Sequence, residues 1–111
     1  MTDDLPLADR VRELLWLDPE VTEKRMFGGV SFLIGGHIAV AVSGRGGLLM
    51  RIGPEGIDAT LREPGVERAV MDGREMGGWV RVDEGAVSTE EDLRRWVRRG
   101  TGLARALPPK E

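Results

Sequence analysis

The apolar positions change period along the chain, and those changes set the order of elements. From Leu5 to Leu17 the residues Leu7, Val11, Leu14 and Leu15 recur at helical spacing and predict one buried stripe. Asp4 is a plausible N-cap, Pro6 sits in the first turn where proline is tolerated, and Asp18-Pro19 stops the helix. The period then drops to two. Val21 to Phe27 runs into Gly28-Gly29, after which Val30, Phe32 and Ile34 alternate with Ser31 and Leu33. Gly35-Gly36 predicts a type I′ hairpin, because both central positions need positive φ. Beyond it Ile38, Val40 and Val42 are expected on one face, with His37, Ala39, Ala41 and Ser43 on the other. Residues 43–47 read as a loop, and Leu48, Met50 and Ile52 as a further strand.

Pro54 to Arg62 reads as a short helix with Ile57 and Leu61 inward. Val66 to Met71 and Glu75 to Val82 read as two strands joined through Asp72-Gly73. The closing helix carries the most signals. Ser88 with Glu91 three residues on forms a capping box, and Glu90, Glu91 and Asp92 suit the positive end of the helix dipole. Its apolar stripe is Leu93, Trp96, Val97, Gly100, Leu103, Ala104 and Leu107. At about 100° per residue that stripe opposes Arg94, Arg95, Arg98, Arg99 and Arg105. The predicted fold is α+β: an antiparallel sheet meander with an N-terminal helix, a short middle helix and a long C-terminal helix, the helices packed on one face.

Composition narrows the chemistry. The 111 residues carry 41% apolar and 32% charged side chains, globular proportions for a single domain (1–111, core about 5–106). There is no cysteine and one histidine, His37, so thiolate chemistry and multi-histidine metal sites drop out, and no metal or cofactor is expected. No apolar run approaches membrane-spanning length, and a cytoplasmic protein is expected. Charge is uneven: residues 1–23 hold seven acids against Arg10 and Arg12, a net −5. Residues 94–110 hold six bases and no acid, within an overall net charge of −3.

Arg25-Met26-Phe27-Gly28-Gly29, followed by Val30, Phe32 and Gly36, resembles the opening signature of the TfoX/Sxy N-terminal domain family. Residues 48–51 (Leu-Leu-Met-Arg, ending in Arg51) are similar to its LxLR strand. The run from Gly73, Arg74 and Met76 to Trp79 is similar to its GrxMxxW hairpin, and Leu93 with Trp96-Val97 matches its closing helix. The resemblance covers about residues 5–106. It implies an α+β domain with no catalytic residues. The family's best-known members are competence regulators acting with the cyclic-AMP receptor protein at promoters, and they carry a second, C-terminal domain; the resemblance here is to the N-terminal domain alone, and a stand-alone domain is expected.

Each candidate site has a scaffold reading beside the functional one. Arg25 beside the glycine turn has an anion-binding geometry on paper, whereas Met26 and Phe27 read as core and Gly28-Gly29 as a bend or bulge. Arg25 and Arg51 are candidates to converge on one sheet face. His37 reads as a turn histidine. Gly44-Arg45-Gly46-Gly47 lacks P-loop spacing and reads as a hairpin loop. Glu55, Asp58, Glu63 and Glu67 read as solvated, without metal-ligand spacing. Trp16, Trp79 and Trp96 read as core or rim. The arginine face of the last helix is the candidate partner surface. Overall the sequence predicts a non-enzymatic regulatory or adaptor domain with an unidentified protein partner, with transcription machinery as one class. Duplex DNA is not expected to bind it alone, no membrane is expected, and a monomer or weak homodimer is. The alternatives are nucleic-acid binding through the arginine face, and a ligand-binding or enzymatic domain using the glycine-rich hairpins.

Overall fold

The computed structural model describes residues 6–26, 28–71 and 73–108, without the side chains of Met26 and Met71. The expectations that Asp4 caps the first helix and that Met26 and Phe27 are core lie outside that description. The elements run α1 (Pro6–Leu14), β1 (Val21–Met26), β2 (Gly29–Ile34), β3 (His37–Val42), β4 (Leu48–Arg51), α2 (Ile57–Leu61), β5 (Val66–Met71), β6 (Arg74–Val82) and α3 (Glu90–Arg105), with a 3-10 turn at Glu84–Val87 before α3. Among the described residues six strands form one sheet in the order β1-β2-β3-β4-β6-β5, and every pairing in it is antiparallel.

The first four strands are the predicted meander. The chain then crosses through α2, and β6 rather than β5 pairs with β4. The three described helices α1, α2 and α3 cover one face. Leu7, Val11 and Leu15 from the α1 region, Ile57 from α2, and Leu93, Trp96 and Val97 from α3 close one core with Phe32, Val40, Val42, Leu48, Met50, Val80 and Val82 from the sheet. The opposite face carries a smaller cluster of Ala41, Leu49 and Ala69, flanked by Ile38, Met76 and Trp79. Gly35 and Gly36 have φ of 59° and 84°, the pair of positive angles that the hairpin requires.

The structure departs from simple alternation in β3. Phe32 pairs with Val40 and Leu33 with Ile38, leaving Ala39 as an extra residue. This bulge reverses the faces that strict alternation assigns. Ile38 joins Ala41 on the far face, and Ala39 turns to Ala104 of α3. The N-cap of α3 also moves by one. Ser88 is still helical after the 3-10 turn, so the extended residue is Thr89, whose hydroxyl accepts from the Asp92 amide at 3.1 Å. α1 ends at Leu14, and hydrogen-bonded turns carry the chain on to Asp18. That early ending leaves Trp16 77% and Leu17 89% exposed, so Trp16 is not a core or rim residue.

Candidate functional site

The arginine face of α3 points away from the core, as its periodicity dictates, but most of its charge is spent inside the fold. Arg94 pairs with Glu90 at 2.7 Å, one turn back on the same helix. Arg95 and Arg99 both reach Glu63, just past α2, at 3.1 and 2.9 Å. Arg105 reaches Asp18 and Glu20 at 3.1 and 2.9 Å. Arg98 alone of the five has no ion-pair partner among the described residues, and it is exposed. Asp18 and Glu20 after α1 thus meet one end of the basic face, and Glu63 after α2 meets the middle. Arg95 and Arg99 also lie over the Trp96 ring, each 5.2 Å from its centroid, a cation–π arrangement.

Glu63 is the acid that ties α2 to α3. Burial pushes its carboxyl up, but hydrogen bonds from Arg99 and Arg95 outweigh burial and hold it below the usual carboxylate range. A depressed folded pKa gives stability that is present above the unfolded value and lost as pH falls through the folded one. Glu63→Gln is therefore expected to cost about 1 kcal/mol at pH 7, the scale for a partly exposed ion-pair network. The gap between wild-type and variant melting temperatures should close below about pH 4. A gap independent of pH would show that the carboxylate charge does not hold the helices together.

The other sequence-derived candidates separate. Arg25 pairs in register with Val30, which faces the helices. Arg51 pairs with Trp79, beside Leu49–Arg81 and on the opposite face from Met50–Val80. The two arginines therefore do not converge. Gly28 has φ of 73° and forms the β1–β2 turn, while Gly29 lies so close to β3 that a Cβ there would meet the Val42 carbonyl oxygen at 1.8 Å. The bulge sits at Phe32/Leu33, away from the glycines. Arg74 is exposed at the start of β6, after Gly73, and Met76 is half-buried. The glycine loop is closed on itself: Arg45 N donates to Ser43 Oγ, and Arg81 donates to the Gly46 carbonyl at 3.0 Å. Among the described residues no three His, Asp or Glu side chains are placed to hold a metal.

Two features escaped the sequence. One is the Glu63 tie, which nothing in residue spacing announces. The other is a groove of about 530 Å³ where the start of β3, the end of β4 and the C-terminal turns of α3 meet. It holds Arg51, Trp79 and His37, whose Nε2 lies 2.6 Å from the Pro108 carbonyl oxygen. It also exposes Leu103, at 37%, which the helical stripe had placed in the core. No described helix is long and apolar enough to cross a membrane.

The family model for the TfoX N-terminal domain matches residues 13–104. No curated protein and no solved structure matches the chain.

Proposed function

Because the chain belongs to the TfoX N-terminal domain family, we propose that it is a non-enzymatic adaptor acting through protein contacts, in the regulation of transcription. The observation that carries this reading is the pair Trp16 and Leu17, exposed at the turn after α1. Two adjacent large apolar side chains in water are the kind of anchor that protein interfaces use. Their neighbourhood supplies the electrostatics. A groove between α1 and α3 is lined by Glu13, Leu14, Asp18, Val97, Arg98 and Arg105, and Arg98 is the one of the five α3-face arginines without an ion-pair partner among the described residues. A partner presenting an apolar side chain beside a carboxylate complements this surface. Phosphate binding fits it less well, since four of the five arginines would have to give up acids they already hold.

Capture of partners from native lysate by immobilised protein tests the reading. We expect a defined partner retained by wild type, lost with Trp16→Ser/Leu17→Ser, and weakened by Arg98→Glu. Equal recovery on wild type and both variants would refute the assignment of this surface.

A further inference from the structure

The groove at the end of β4 has the make-up of a ligand site, and its chemistry is separate from the α1–α3 surface. Its volume of about 530 Å³ falls in the range of small-molecule pockets. Its walls are apolar: Ile52, Pro54, Trp79 and Leu103 line it. Ile52 N and Gly53 N both donate to the Gly78 carbonyl, at 2.8 and 3.0 Å. Gly53 and Gly78 have φ of 92° and 77°, and a Cβ on Gly78 would meet the Gly53 backbone at 3.4 Å. The β4–β6 ladder sets Arg51 beside Trp79 in register, and the two hydrogen bonds to Gly78 hold the chain against β6 just past β4.

The polar groups then select the ligand. His37 is engaged with the Pro108 carbonyl. Arg51 has no hydrogen-bond or ion-pair partner among the described residues and lies at an exposed position on the groove. A guanidinium with free donors beside an aromatic ring and aliphatic walls matches a carboxylate on an apolar body, held by two parallel hydrogen bonds. Glu55 on the same groove opposes a second negative charge, which disfavours a phosphate dianion. The geometry points to a binding site for a small monocarboxylate with an aromatic or branched apolar body. Arg51 takes the carboxylate and Trp79 packs against the body.

Phenylacetate is the probe, with phenylacetamide as neutral counterpart and phenyl phosphate as dianion, at constant ionic strength. The readout is the Trp79 indole N–H resonance in ¹⁵N-labelled protein, assigned with Trp79→Phe. We expect a saturable shift with phenylacetate and at least about tenfold weaker binding of the amide, the scale of a charge-assisted hydrogen bond. Arg51→Gln should lose a similar factor, Arg51→Lys should retain part of the binding, and Arg98→Gln should leave it unchanged. Melting temperatures establish that each variant is folded. Absence of a saturable shift, equal binding of acid and amide, unchanged binding in Arg51→Gln, or tighter binding of phenyl phosphate would each overturn the proposal.

Discussion

Replacing Gly100 by alanine should lower stability by about 3 kcal/mol, at the upper end of overpacking costs, although alanine is the better helix former by about 1 kcal/mol. A Cβ at Gly100 would lie 2.1 Å from the Ala39 carbonyl oxygen and 3.0 Å from Met50 Cε. The first neighbour is backbone, fixed by the β3 bulge, so α3 would have to lift from the sheet. Gly102 provides the internal control. It lies in the same helix with nothing within 4 Å of a Cβ, so Gly102→Ala should stabilise by up to about 1 kcal/mol. Urea denaturation of both variants measures the contrast. A Gly100→Ala protein as stable as wild type would mean that α3 does not sit on β3 as described.

Trp96→Ala should cost about 3–5 kcal/mol, the range for truncating a buried aromatic side chain. Trp96 is 1% exposed in the main core, and its loss also removes the ring beneath Arg95 and Arg99. Its Nε1 has no hydrogen-bond partner among the described residues. Trp96→Phe therefore breaks no hydrogen bond and leaves a smaller cavity, and it should cost less than half as much. Thermal melts read both. Equal losses for Ala and Phe would show that the indole nitrogen has a partner that matters.

The fold was legible in sequence where a local rule and the global packing agree. The Gly35-Gly36 turn, the two-residue period of β2 and β4, and the amphipathic α3 are each dictated by neighbours within a few residues. What stayed hidden depends on distant partners. The β3 bulge turns Ala39 onto Ala104 and Gly100 of α3, and a period-two pattern carries no trace of it. Trp16 looks like core by its apolar neighbours, but α1 ends too early to turn it inward. The arginine face was visible as a stripe, yet its neutralisation by Glu63, Asp18 and Glu20 is a tertiary fact. Arg51 was singled out by motif, while the groove that surrounds it is assembled from four separate elements.

That arginine face serves either the fold and protein contacts or nucleic acid. Labelled duplex DNA titrated at low and at physiological salt decides it. A face contacting phosphates with all five arginines would show log affinity falling with log salt at about −0.9 per contact. With four of the five already paired and a net charge of −3, binding at physiological salt should be no tighter than about 10⁻⁴ M, the weak limit of nonspecific association. Micromolar binding at physiological salt, abolished by charge reversal at Arg94, Arg98 and Arg105, would contradict the account.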